Sequence, residues 1–317
     1  MPIVVNTGTV TPPAPPTAPP SYIATDLLAL TWTGWNGDTW DVQGGNSKAT
    51  MERYGRAGFG MPPVQHFFTE SATTDGAVWN GYRVPGRPFK FPVFVTGSTP
   101  TEARAEQAKF MATLRPEKLG TLTVADPAGN RRYIDLRYMG GADEEFESSD
   151  YALYWYSHQL QMLAEQPYYY ADPIVLTFDS ADQVNFYGGG VGTQAPLFYV
   201  SSSQTTGNAV VTNPGDVDAW PAWKLYGPFT SAVLSVGGVQ IVYSEAVLGG
   251  HWVEIDTHPK RLTIVNDLGV NKFAKATTLN TAPIPYSAST PIALTLNGSD
   301  PTTKVEVAFT PNFWRAW

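Results

Sequence analysis

From Leu28 onward the chain alternates apolar and polar positions. Leu28, Leu30 and Trp32 fall on one face of an extended segment and Thr31 and Thr33 on the other, the two-residue period of a half-buried strand. Trp35-Asn36-Gly37-Asp38 follows. The Asn-Gly pair predicts a hairpin closed by a type I′ turn, in which both central residues take positive φ. Helical spacing replaces alternation at Thr99 to Arg115. Thr99 is placed to cap, Pro100 sits where a missing amide costs nothing, and Glu102 completes a capping box. Ala103, Phe110, Met111 and Leu114 then share one face and Pro116 stops the helix, which is expected to lie on a sheet.

Alternation resumes at Leu122 and Val124, breaks at Asp126-Pro127-Ala128-Gly129, and returns as Ile134, Leu136 and Tyr138 against Tyr133, Asp135 and Arg137. This is a second hairpin, with proline where type I turns favour it. Beyond an acidic loop, Tyr156, His158, Leu160 and Met162 alternate with Ser157, Gln159 and Gln161, a long strand with one buried side. Past the aromatic stretch Pro167 to Pro173 the sequence turns small, turn-rich and free of helical patterning, which places a boundary near Asp172. Short strands are predicted at Ala209 to Thr212, Ala222 to Tyr226, Ala232 to Val236, Val239 to Tyr243, Trp252 to Asp256, Leu262 to Val265, Ile292 to Leu296 and Lys304 to Thr310. Separated by turns such as Gly237-Gly238, they read as an antiparallel sandwich. Thr11 to Ser21, TPPAPPTAPPS, is predicted to be an extended polyproline-type arm, because stacked prolines fix φ and remove amide donors. The expected divisions are therefore 1–21, 22–172 and 173–317.

Composition narrows the function. With 43% hydrophobic and 15% charged residues, 29 Gly and 27 Pro in 317 residues, the chain reads as packed and turn-rich. A net charge of −8 disfavours binding of nucleic acid by phosphate neutralisation. The absence of cysteine removes disulfides, thiolate zinc sites and cysteine nucleophiles. Met1 to Val10 lacks a basic segment and no apolar run reaches the roughly 18 residues of a membrane span, so a protein without secretory signal or membrane anchor is expected.

Candidate chemistry is sparse. His66, His158, His251 and His258 are too scattered for a helical metal pair. His158, on the apolar face of its strand, reads as a hydrogen-bonded core imidazole, and His251 and His258 as loop residues. Gly188-Gly189-Gly190-Val191-Gly192 lacks the Lys-Ser/Thr of a phosphate loop. Asp143, Glu144, Glu145, Glu147 and Asp150 could supply the two carboxylates of a glycosidase or ligands for Ca²⁺, but read better as a solvated loop. Trp220, Trp223 and Trp252, with Tyr226 and Tyr243, fit either sugar stacking on a sandwich or core packing. Trp223 and Tyr226 are an odd number apart, so one regular strand points them to opposite faces. The expectation is no catalytic, cofactor or metal site, with Trp220, Trp223 and Trp252 as candidate glycan contacts.

The order of these segments resembles the distal tail protein family of long-tailed, non-contractile bacteriophages. The likeness runs through TWTGWNGDTWDV, Asp75-Gly76 before a strand, the helix after GSTPTEA, LTVADPAGNRRYIDLRY and the strand ending in QPYYYADP. It continues in VVTNPGDVDAWPAWKLYGP, with Asn213, Gly215, Pro221, Gly227 and Pro228, then in VEIDT and VEVAFTPNFWRAW. One departure is PIPYSASTPIALTLNG, where the family usually shows a proline-glycine turn.

The resemblance implies a mainly β protein. An α+β amino-terminal domain, a β-sheet or split barrel with one helix and hairpins, would form a ring. An antiparallel sandwich of galectin-like or jelly-roll-like type would sit outside it. It further implies a non-enzymatic virion protein assembled in the host cytoplasm, a homo-oligomer of six copies at the tail tip. Its partners would be the tail tube protein, the tail-tip hub protein and receptor-binding parts or side fibres, with phage DNA passing through unbound. Physically, exposed edge strands of a helix-on-sheet unit would pair between copies and vanish on ring closure. The alternative is a carbohydrate-binding or carbohydrate-cleaving sandwich that uses Trp252 or the acidic loop.

Overall fold

The computed structural model describes residues 28–43, 47–52, 54–142, 153–179, 184–185, 199–200 and 204–317. Strands β1 (Ala29–Thr33), β2 (Thr39–Asp41) and β3 (Ala49–Met51) come first. A hairpin of β4 (Gln65–Ser71) and β5 (Thr74–Arg83) follows, then β6 (Arg87–Thr96) and helix α1 (Pro100–Ala112). Strands β7 (Leu119–Ala125), β8 (Arg131–Gly140), β9 (Trp155–Ala164) and β10 (Tyr169–Tyr170) complete this half. The main path of the first sheet is β2-β1-β7-β8-β9-β6-β3, antiparallel throughout.

This sheet curls until its two ends meet. Val42 donates its amide to Leu30 (2.9 Å) and accepts from Met51 (2.7 Å), so the residue after β2 bridges β1 and β3. The alternation read in sequence explains the curl: Leu30, Trp32, Phe89, Phe91, Val93, Leu122, Ile134 and Leu160 all point inward and are buried together. Each such side chain contributes roughly 1.5–3 kcal/mol by leaving water. The expected open edges of a helix-on-sheet unit are thus largely closed within one chain. The hairpin β4–β5 stands apart as its own two-stranded sheet.

Helix α1 begins as the sequence predicts, with Thr99 Oγ1 accepting from the Glu102 amide (3.1 Å). The return bond differs from an ordinary capping box. Glu102 accepts from the Ser98 amide (2.7 Å) and the Ser98 hydroxyl, one residue before the cap, and pairs with Lys48 at 2.9 Å. The Ser98 hydroxyl, followed by Lys48, holds the Glu102 carboxyl down at about 2. Three tryptophans of the first hairpin grip the helix end. Trp32 donates to Thr113 Oγ1 (2.9 Å), Trp35 donates to the Ala112 carbonyl (2.9 Å), and Trp40 meets Phe110 edge-on at 5.5 Å. The turn between β1 and β2 is not type I′: Gly37 has φ +86° whereas Asn36 keeps negative φ. Gly34 donates to the Asp38 carbonyl and accepts from Gly37, which is the longer loop with a glycine bulge.

The second half holds β11 (Ile174–Asp179), the short pair β12 (Val184–Asn185) and β13 (Tyr199–Val200), and β14 (Gln204–Thr212). Next come β15 (Ala222–Tyr226), β16 (Ser231–Val236), β17 (Val239–Tyr243), β18 (Trp252–Asp256), β19 (Thr263–Asn266) and β20 (Ala276–Leu279). The chain ends with β21 (Ser289–Asn297), β22 (Lys304–Phe309) and β23 (Asn312–Phe313). Two five-stranded antiparallel sheets, β11-β22-β15-β18-β19 and β14-β21-β16-β17-β20, enclose a second core that includes Trp223, Leu225, Ile255, Leu234, Leu294 and Val307. Asn213 is buried where its side chain ties three backbone groups, those of Gly215, Val217 and Ile284. In the departing stretch before β21, Ser287 takes the left-handed conformation (φ 52°) and its amide donates to the Asn213 carbonyl.

The last residues leave the sandwich. Strand β23 pairs with β10, and Phe313 and Ala316 belong to the first core, although the sequence reading kept 173–317 together. Arg87 is fully buried at this junction and donates to the carbonyls of Pro167 (3.1 Å), Trp314 (3.0 Å) and Gly60. Its guanidinium lies over the rings of both Phe89 and Tyr169, 5.2 and 5.1 Å from their centroids. Burial lowers the Arg87 pKa and raises that of the Tyr169 phenol.

Candidate functional site

The β4–β5 hairpin is exposed at every described position except the half-buried Gly81, and its register sorts its side chains into two faces. Gln65 opposes Arg83, His66 opposes Tyr82, and Phe67 opposes Gly81. Asn80 is then bulged out, and Phe68 opposes Trp79 and Thr69 opposes Val78. Because side chains alternate, His66, Phe68, Trp79 and Tyr82 share one face. The other carries Gln65, Phe67, Thr69, Val78, Asn80 and Arg83, with Arg83 bonded to Gln65 (2.8 Å) and Asn80 to Thr69 (2.5 Å).

The aromatic face is ordered within itself. Trp79 donates its indole N–H to His66 Nδ1 (3.2 Å), and the Trp79 and Tyr82 rings stack at 6.3 Å with 19° between planes. His66 sits 6.1 Å from Phe68 and 6.3 Å from Tyr82. Yet Phe68, Trp79 and Tyr82 remain 57%, 53% and 52% exposed. A two-stranded hairpin is marginal in water on its own, and a contiguous exposed aromatic patch marks a contact surface. The strand after Asp75-Gly76 is β5, whereas β4 and its pairing had no counterpart in the sequence reading. Asn80-Gly81 imitates a turn there but forms a bulge, while the real turn is Ala72-Thr73. The alternation His66, Phe68 was the available signal.

The structure does not bring the three candidate glycan tryptophans together. Trp223 is fully buried in the second core and presents no face to a sugar, because the odd spacing puts it on the inner side of β15 and Tyr226 on the outer. Trp220 is half-buried just before β15, edge-on to His258 at 6.4 Å. Trp252 is outward, directly opposite Tyr226. Lysines occupy these ring faces: Lys224 Nζ lies 4.3 Å from the Trp252 ring and 5.3 Å from Tyr226, and Lys304 Nζ lies 5.7 Å from Tyr226. Glu306 accepts from the Tyr226 hydroxyl (3.0 Å) and pairs with Lys304 (2.7 Å), which lowers its carboxyl pKa. Together these groups form a lattice of alternating charge over aromatic rings.

The remaining polar candidates are placed as follows. His158 is buried on β9, 3.4 Å from the Gln107 side chain of α1. His251 meets Asp267 at 2.6 Å on the surface, and burial followed by Arg261 lowers the His258 pKa. The acids Asp143, Glu144, Glu145, Glu147 and Asp150, the glycine run 188–192 and the arm 1–21 lie outside the described residues. Among the described residues, no cluster of three or more His, Asp or Glu could hold a metal ion, and no helix is long and apolar enough to cross a membrane.

Comparison with known proteins adds one decisive likeness. The Dit protein of phage SPP1, described as a paradigm of the hub adsorption apparatus in phages that infect Gram-positive bacteria, superposes with a TM-score of 0.56 at 13% identity. The match covers 90% of this chain and 99% of that one. The fold is that of a phage distal tail protein. A chain from the structure of the phage P2 baseplate in its activated conformation with Ca also superposes on this chain, with a TM-score of 0.50 at 15% identity over 90% of this chain and 98% of that one. No family model and no curated protein sequence matches.

Proposed function

We propose that this protein is a structural component of a phage tail tip. Identical copies, six by the resemblance, form a ring that joins the tail tube to the tail-tip hub, and the outer sandwiches mount receptor-binding parts or side fibres. The ring assembles in the host cytoplasm and passes phage DNA without binding it. The role is shape and contact area, without catalysis. One observation carries the reading: the distal tail fold extends over nearly the full length of both chains. The unpartnered hairpin agrees with it, because a two-stranded sheet with two free edges suits pairing with a neighbour. Light scattering of the purified protein should give six times the 34.5 kDa chain mass, and negative-stain images a ring with a central hole. A chain that stays monomeric alone and with tail tube and hub proteins would overturn the reading.

A second reading, a glycan-binding sandwich, rests on the outward Tyr226–Trp252 pair, since side-by-side aromatic rings bury apolar sugar surface once the lysines over them give way. Glycan-array binding that disappears in Trp252→Ala would support it. Loss of nothing, or no binding at all, would remove it.

A further inference from the structure

Among the described residues, none accepts the indole N–H of Trp223, whose side chain is fully buried in the second core. An indole nitrogen can only donate, and buried N–H groups in native proteins nearly always meet an acceptor, either a protein group or an ordered water. Trp223 also lines a small cavity at one end of the sandwich.

The walls of this cavity come from both sheets. Trp223 points inward from β15 opposite Ile255. Thr257 continues the inward series Val253 and Ile255 past the end of β18, so it lies on the same inner side. From the other sheet, the turn between β16 and β17 supplies Val236 and Val239, and the segment after β20 supplies Asn280 and Ala282. Val239 and Asn280 are exposed, so the cavity reaches solvent at that end.

Size and hydrogen-bonding capacity together select the occupant. The space open to the centre of a water molecule is about 10 Å³, close to the roughly 10–15 Å³ that one water needs by that measure. Anything larger than a water is excluded by size. The Thr257 hydroxyl spends its one proton on the Pro221 carbonyl (2.5 Å), which leaves its lone pairs to accept. The Asn280 amide is anchored to the Gln240 carbonyl (3.2 Å), and the oxygen of its side chain is a second acceptor. One donor and two acceptors match a water that accepts one hydrogen bond and donates two, the usual number for a buried water.

We infer that this cavity binds one ordered water, which accepts from Trp223 Nε1 and donates to Thr257 Oγ1 and to the Asn280 side chain. The water bridges the two sheets at an end of the sandwich where no backbone pairing joins them. The site belongs to the sandwich core and does not depend on the tail-tip reading.

A crystal structure of the full-length protein tests the site directly. A water about 2.7–3.2 Å from Trp223 Nε1 and within hydrogen-bond distance of Thr257 Oγ1 is expected. A dry cavity, or an indole N–H turned onto a protein carbonyl, would overturn the inference. Nuclear magnetic resonance provides a second readout in solution. The Trp223 indole proton, assigned by its disappearance in Trp223→Phe, should cross-relax with a long-lived water in the wild-type protein. Ala282→Val narrows the cavity and should abolish that signal. Absence of the signal in the wild type would overturn the inference, and so would its persistence in Ala282→Val, since the water would then lie elsewhere. The two wild-type measurements decide the question even if Ala282→Val does not fold.

Discussion

Replacing Arg87 with methionine keeps much of the side-chain volume and removes the fork that holds three carbonyls together. A hydrogen bond from a charged donor contributes roughly 1.5–3 kcal/mol, so the three bonds to Gly60, Pro167 and Trp314 amount to about 4.5–9 kcal/mol gross. The two ring contacts add about 0.5–2 kcal/mol each. Against this stands relief of the burial that lowers the Arg87 pKa, several kcal/mol for a charge taken out of water. The Pro167 carbonyl stays buried and those of Trp314 and Gly60 part-buried after the change, all without this donor, so the loss outweighs the relief, and a net destabilisation of about 3 kcal/mol is expected. With a urea slope of about 3 kcal/mol per molar, the unfolding midpoint falls by about 1 M. Arg87→Lys, which keeps the charge without the planar fork, should lie between the two. Trypsin cleavage after the exposed Arg315 should accelerate in both variants, because Trp314 is released. A midpoint for Arg87→Met within about 0.2 M of wild type would refute the reasoning.

Trp223→Ala should cost about 3–5 kcal/mol as a cavity in the second core, whereas Trp252→Ala on the outer face should stay within about 1 kcal/mol; equal melting shifts would contradict the assignment of the two residues to opposite sides. Gly120→Ala drives a methyl group into the Trp32 ring and should cost about 1–3 kcal/mol, measured by urea unfolding; a neutral result would mean that the ring moves freely. The Glu102 carboxyl has a folded pKa of about 2 against an ordinary 4.5, so its contribution is complete above 4.5 and is lost as pH falls through about 2. The melting-temperature difference between wild type and Glu102→Gln should therefore be constant near neutrality and shrink across that acidic window. A difference that persists below pH 2 would show that the Ser98 and Lys48 contacts are not its source.

The sandwich was the most legible part of the sequence, because each strand buries one side and exposes the other. The predicted runs Ala222 to Tyr226, Val239 to Tyr243 and Trp252 to Asp256 coincide with β15, β17 and β18. The helix start was equally readable from Thr99 and Pro100, although the reach of Glu102 to Ser98 depends on a backbone course that no local rule supplies. The β4–β5 hairpin was hard to read for the opposite reason: with both faces in solvent, its signals were only the alternation His66, Phe68 and the strand after Asp75-Gly76. The return of β23 to β10 was hidden as well. It joins Tyr170 to Asn312, and such separation leaves no mark on the local sequence. For the candidate glycan contacts, residue type alone could not separate Trp223 from Trp252; the parity of spacing from Tyr226 could, once β15 was fixed.

The two crossings between barrel and sandwich lie side by side, with the Ala171 amide bonded to the Pro311 carbonyl at 3.1 Å and Tyr170 opposite Asn312. The sandwich is therefore a cassette spliced into a host sheet, not a unit strung after it. A tight turn of two to five residues can join antiparallel neighbours of this kind, so the whole cassette can be excised or exchanged while the host keeps its last strand. Two adjacent anchors also suppress the swivelling that a single tether would permit, and the cassette's orientation follows that of its host.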